Sequence, residues 1–364
     1  MKKIILFFLI FCSLTFFYLN KNQIIKKPLP ITQQKPTNIP TIKQSNNLAM
    51  KQFLFLPYWS LPENFSQIKV PQITNNDYQI TNLVYFGIAP NENGINKNEP
   101  GFLNLTRLNQ PIRDFNVNLL VLRMTNSDLN FKILDDDLLQ QKIIDQMLEI
   151  AKQHSFGGLI LDLEVSALPF SSTSEKITNF VKKFSQKTKS VGLNFAITIY
   201  GDTFYRKRPY DLKNLTPSVD QLYVMAYDFH KILGSPGPNF PLNGREKYGY
   251  DLVKTSDDFL SVVPAEKLTF VFGLYGYDWT VDEKERPIKQ AKALTLNQIK
   301  TLFDDQAYTI KRDPQSKESF IKYTDENNMS HIVWFEDEES IGKKQEFLKS
   351  KGITNFAYWA WGYY

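Results

Sequence analysis

The sequence predicts an α/β fold, a closed (β/α)8 barrel with a small α+β insertion between strand 7 and helix 7. Three observations predict it. Eight short apolar runs are spread over residues 53–361. Helical stretches lie between them, as strand–helix alternation requires. The rival doubly wound sheet would want a phosphate-binding glycine loop, and no G-x-G-x-x-G follows any of the runs.

The barrel is preceded by a segment of different character. Lys2 and Lys3 stand before an uncharged apolar run from Ile4 to Leu19, and no small-residue cleavage site follows. Residues 1–20 therefore read as a signal peptide or N-terminal membrane anchor. Residues 21–50, rich in Lys, Pro, Gln, Asn and Thr, read as a flexible tether. The first 50 residues hold seven Lys and no acid, which leaves the remainder nearly neutral despite a net charge of +5 for the chain. A neutral globular part excludes the electrostatic footprint of a nucleic-acid binder. The expected location is extracellular or at the cell surface, with membrane contact through the N-terminal segment only and a monomeric state. Cys12 is the one cysteine, so no disulfide framework or cysteine metal site is available.

The eight runs are Phe53–Trp59, Leu83–Ile88, Leu119–Met124, Gly158–Glu164, Leu193–Tyr200, Leu222–Asp228, Leu268–Tyr275 and Phe356–Trp361. Buried parallel strands read as continuous apolar stretches of this kind. Between them, Leu139, Ile143 and Met147 recur at helical spacing ahead of Gly157. Ser172-Thr173-Ser174-Glu175 has the pattern of a capping box opening a helix that stops near Gly192. A further helix runs from about Glu339 to Lys351, stopped by Gly352. The stretch between the seventh and eighth runs is too long for one crossover, and residues 281–335 predict the α+β insertion on the barrel's upper face.

Barrel chemistry sits where strands end. The fourth run ends with Asp162 and Glu164, whose separation by two puts both on one face, roughly 6–7 Å apart along the strand. Two carboxylates in a half-buried mouth do not titrate alike, and one is pushed upward, as a general acid requires. Taken alone, the pair is better read as loop carboxylates that cap the next helix or pair with Lys. The sixth run ends Met225-Ala226-Tyr227-Asp228, offering a phenol and a carboxylate, or simply a core Tyr with a surface Asp. In Tyr358-Trp359-Ala360-Trp361 one Trp can floor a sugar site while the other packs the core. His154, His230 and His331 are not spaced as metal ligands, and no G-x-S-x-G elbow is present.

In combination these segments resemble glycoside hydrolase family 18. That family has D-x-x-D-x-D-x-E at the fourth strand, M-x-Y-D at the sixth and a Trp at the eighth. Gly157 and Ile160 stand where the acidic motif has Asp. Gly273–Trp279 is similar to the seventh strand of a subgroup that includes bacterial spore-cortex-lytic and chitinase-like proteins, and Val333–Asp337 is similar to that subgroup too. The resemblance spans residues 52–364. It implies a glycosidase for peptidoglycan or chitin that works by substrate-assisted hydrolysis with retention. Glu164 is then the general acid and base, and Asp162 orients the 2-acetamido group. Tyr227 holds that group from the other side, Asp228 contacts the sugar and Trp359 supports it. Tyr58, Met225, Tyr277 and Trp279 are implied to line the cleft. No metal or organic cofactor is implied. The alternative is a lectin-like, non-catalytic barrel; such relatives usually lose the terminal Glu, which here is Glu164.

Overall fold

Side chains of alternate sign of direction along each apolar run explain the architecture. The computed structural model describes residues 51–61, 80, 82–109, 117–165, 170–304 and 308–364. The expected signal or anchor and the tether, residues 1–50, lie outside the described residues. Among the described residues no helix is long and apolar enough to cross a membrane.

The barrel strands are β1 Gln52–Pro57, β2 Asn82–Ile88, β3 Val117–Met124, β4 Gly158–Leu163, β5 Asn194–Tyr200, β6 Gln221–Ala226, β7 Leu268–Gly273 and β8 Asn355–Trp359. They pair in parallel in sequence order, and β1 pairs with β8 to close the barrel, Leu54 lying beside Tyr358. All eight coincide with the apolar runs. Inward-facing Phe53, Phe55, Val84, Phe86, Val121, Ile160, Tyr223 and Val271 fill the barrel. Their neighbours, such as Leu54, Leu120, Leu122, Leu159 and Leu161, join Ile143, Met147, Phe180, Phe184 and Leu348 of the surrounding helices in a second apolar layer. A strand buried on both faces has no polar alternation, which is why the runs are continuous.

Helix Asp137–Gln153 starts at Asp136, whose carboxylate accepts from the N–H groups of Leu138 and Leu139. Helix Ser171–Ser190 departs from expectation: its N-cap is Phe170, with no side-chain cap, because the helix already begins at Ser171 and Ser172 lies inside its first turn. Helix Glu338–Ser350 is opened by a reciprocal box of Asp337 and Ser340.

The insertion carries a five-stranded antiparallel sheet in the order Lys292–Thr295, Tyr275–Val281, Ser330–Phe335, Ser319–Thr324, Lys311–Arg312, with helix Leu296–Leu302. Its sheet begins at Tyr275 rather than at 281. β7 stops at Gly273, so Tyr275, Tyr277 and Trp279 belong to the insertion and not to the barrel strand. Gly273 is needed at this junction, since a Cβ there would lie 2.3 Å from the Tyr275 ring and 3.1 Å from the Tyr227 Cβ.

Candidate active site

Asp162 is the penultimate residue of β4 and points into the barrel mouth, while Glu164 follows just past the strand end. Both line a cavity of about 220 Å³ at the C-terminal ends of the strands. The separation by two residues thus does place the carboxylates on one face. Around them stand Thr198 and Tyr200 from β5, and Met225, Tyr227 and Asp228 at the end of β6. Phe55, Phe86, Val271 and Trp359 give the cavity an apolar side. The Trp359 ring packs edge-on against Phe86 at 4.7 Å and lies 5.6 Å from Phe55. Packing against these two rings holds its plane.

Asp162 is nearly inaccessible, at 3% exposure. Burial, and next the charge of Glu164, push its carboxyl up to about 7; a hydrogen bond from Thr198 and the nearby Arg123 oppose the shift. Ile160, where the acidic motif has Asp, lies one inward position below in the apolar interior, so no carboxyl stands beneath Asp162 on that strand.

Glu164 accepts a 2.6 Å hydrogen bond from the Tyr200 hydroxyl. The Arg208 guanidinium lies 3.6 Å from the centre of the Tyr200 ring and is itself paired with buried Asp202. Burial and the Glu164 charge push the Tyr200 phenol upward, so it remains a donor. Burial does the same for Tyr227. Among the described residues no protein group accepts from the Tyr227 hydroxyl, which leaves its proton for a bound molecule.

Asp228 adopts a left-handed backbone, φ 57°, which turns the chain out of β6. Its carboxylate accepts from the hydroxyls of Tyr275 and Tyr277, the latter at 2.7 Å.

The sequence profile of the glycosyl hydrolases family 18 matches residues 54–363. The chain belongs to glycosyl hydrolase family 18. It is 28% identical over 242 residues to the cortical fragment-lytic enzyme of Bacillus anthracis, covering 65% of this chain and 54% of that protein. It is 22% identical over 260 residues to human di-N-acetylchitobiase, covering 64% of each. The chain spans about half the length of several relatives that it matches. In three dimensions it is similar to the Bacillus cereus spore cortex-lytic enzyme SleL, with a TM-score of 0.68 at 22% identity, over 86% of this chain and 71% of that one. It is also similar to the Ostrinia furnacalis Group IV chitinase, with a TM-score of 0.71 at 18% identity, over 85% and 92%. These likenesses show the fold.

Within this family 18 barrel, five of the residues singled out from sequence together with Met225 share one cavity: Asp162, Glu164, Tyr227, Asp228 and Trp359. Three others do not line it. Tyr58 sits in the short helical turn Tyr58–Ser60, its ring packed on Trp59 and beneath Arg123. Tyr277 stands behind the site, its hydroxyl on Asp228 and its ring packed edge-on against Tyr275. Trp279 is wholly buried, because the loop after β6 covers it and accepts its indole N–H at Gly234. Thr198, Tyr200, Asp202, Lys231 and Tyr275 also line the cavity, and the sequence motifs gave none of them a site role. The position of Tyr200 as the last residue of a barrel strand was the signal available for it.

Proposed function

We propose that this protein hydrolyses β-1,4 bonds of polysaccharides containing N-acetylglucosamine, peptidoglycan or chitin, with retention and with the substrate's 2-acetamido oxygen as nucleophile. The observation that carries the reading is the meeting of Asp162, Glu164 and Tyr227 in one cavity beside the Trp359 ring. Family membership supports it, and relatives named cortical fragment-lytic enzyme and chitinase fit both substrate classes.

In the first step Glu164 protonates the glycosidic oxygen while the acetamido oxygen attacks the anomeric carbon. Asp162 accepts the acetamido N–H and balances the positive charge that develops on the cyclising group. Because part of the upward push on Asp162 is the charge of Glu164, Asp162 ionises more readily when Glu164 carries the proton, which is the state this step requires. The unpartnered Tyr227 hydroxyl donates to the acetamido oxygen, and Trp359 supports the ring. In the second step Glu164, now a carboxylate, removes a proton from water as it opens the cyclised intermediate. Glu164 held by Tyr200 at the cavity supports hydrolysis over sugar binding alone. Export and surface retention through residues 1–50, and a monomeric state, belong to the same proposal. The basic, acid-free N-terminal sequence supports the first of these.

The test is incubation of the wild type and Glu164→Gln with acetylated chitin oligomers and with purified peptidoglycan, followed by product analysis. The wild type cleaves at least one of them; Glu164→Gln loses roughly 10²–10⁴-fold or more in rate and still binds oligomer. Wild-type turnover in the variant overturns the assignment of Glu164.

A further inference from the structure

The loop that carries Asp228 is tied to the insertion by a chain of buried polar contacts. The Asp228 N–H donates to Oδ1 of Asn239 at 2.7 Å, and the Phe229 N–H to the Asn239 carbonyl at 2.8 Å. Asn239 is 2% exposed. Its own N–H, and that of Phe240 at 2.8 Å, donate to the carboxylate of Glu318, which projects from the insertion. The Glu318 carboxylate also accepts from the ammonium of Lys344 at 2.6 Å, and Lys344 donates in turn to Glu336. Lys344, Glu318 and Glu336 are all fully buried. The insertion also reaches Asp228 from the other side, through the hydroxyls of Tyr275 and Tyr277.

Such a cluster is weak as a source of stability, because three ionisable groups must leave water to form it. What it does fix is geometry. Two carboxylate oxygens hold two successive backbone N–H groups at 239 and 240, and Asn239 then holds the N–H of the one residue in the cavity with a left-handed backbone. A residue at positive φ costs free energy and persists only where its surroundings over-determine it. Tyr227 is the adjacent residue, so the same contact sets the backbone from which its phenol projects.

We propose that Asn239, braced by the buried Lys344–Glu318–Glu336 cluster, is the positioning residue for Tyr227 and Asp228, so that the insertion is a working part of the active site. The inference rests on the acetamido-assisted reading above. Asn239 itself does not line the cavity; it acts through the backbone of Asp228.

The experiment compares wild type, Asn239→Ala, Asn239→Asp and Glu318→Gln in the full chain. It reads kcat and KM on an acetylated oligomer, and affinity for a thiazoline analogue of the cyclised intermediate. Asn239→Ala keeps the backbone contacts at 239 and deletes the acceptor for Asp228 together with a longer, 3.4 Å donation from Nδ2 to the Tyr275 carbonyl. The expected result is a fall of about 10-fold or more in kcat and a matching loss of thiazoline affinity, with KM within about 3-fold. Asn239→Asp, which restores the acceptor oxygen but not the donor to Tyr275, recovers part of the loss. Glu318→Gln turns an N–H toward a backbone N–H and lowers kcat about 3–10-fold, and it decides the matter should Asn239→Ala not fold. Wild-type kcat and analogue affinity in either Asn239→Ala or Glu318→Gln overturn the proposal. A wild type that neither cuts the oligomer nor binds the thiazoline would instead overturn the underlying reading of function.

Discussion

Tyr200 donates a 2.6 Å hydrogen bond to Oε2 of Glu164, and its ring is backed by the Arg208 guanidinium at 3.6 Å. The contact aims the carboxyl group that the proposed chemistry uses twice, first as acid and then as base. It joins the ends of β4 and β5, so it is built into the frame of the barrel and not into a loose loop.

Tyr200→Phe keeps the ring and its stack on Arg208 and deletes only the hydroxyl. A hydrogen bond to a charged group contributes about 1.5–3 kcal/mol, equivalent to roughly 10–100-fold in rate if it acts in the transition state. Steady-state kinetics are expected to show kcat lowered by about 10-fold or more with KM within about 2-fold. An unchanged kcat would mean that Glu164 is oriented without Tyr200.

Asp162 predicts a trade between stability and activity. Its folded carboxyl is raised to about 7 by burial first and the Glu164 charge second, against roughly 3.9 in an unfolded chain. The folded state therefore binds this proton more tightly, and its stability falls as pH rises from the ordinary carboxylate range through about 7. Asp162→Asn removes that loss. Its melting temperature should exceed the wild type's at pH 8, by about 1.5 °C for each kcal/mol recovered, and match it near pH 4. Hydrolysis should fall about 10²-fold or more. Equal melting temperatures at both pH values would contradict the burial argument.

The cluster of Lys344, Glu318 and Glu336 gives a stability prediction of the opposite sign. Lys344→Met leaves two fully buried carboxyl groups without their cation. Removing one member of a buried ion pair costs about 3–5 kcal/mol, and urea unfolding should show a loss of this size. The triple change Lys344→Met, Glu318→Gln, Glu336→Gln should recover much of it. A Lys344→Met protein as stable as wild type would show that water reaches the cluster.

The barrel was legible because a parallel strand packed on both faces writes itself as an unbroken apolar run, and all eight runs became strands. Asp162 and Glu164 were legible because period two is a geometric necessity. Tyr200 looked like the end of an apolar run, whereas Tyr227, just past the end of β6, drew attention through its neighbours Met225 and Asp228. Asn239 and Glu318 leave no local pattern: the contact between them spans 79 residues of chain. Trp279 illustrates the opposite error. Its likeness to a strand-seven motif suggested a cleft aromatic, but the sheet of the insertion starts at Tyr275 and the loop after β6 folds over the indole.

The most direct test of the account is a comparison of paired substrates that differ only in the 2-acetamido group. Acetylated chitin oligomers and their fully deacetylated counterparts, offered to the wild type at equal concentration, are followed by mass spectrometry of the products. If the substrate supplies its own nucleophile, the acetylated oligomers are cut, the deacetylated ones stay intact, and partly acetylated chains are cleaved only where an acetylated sugar occupies the reacting position. Ready cleavage of the fully deacetylated oligomers would contradict the mechanism even though the barrel and its family are as described.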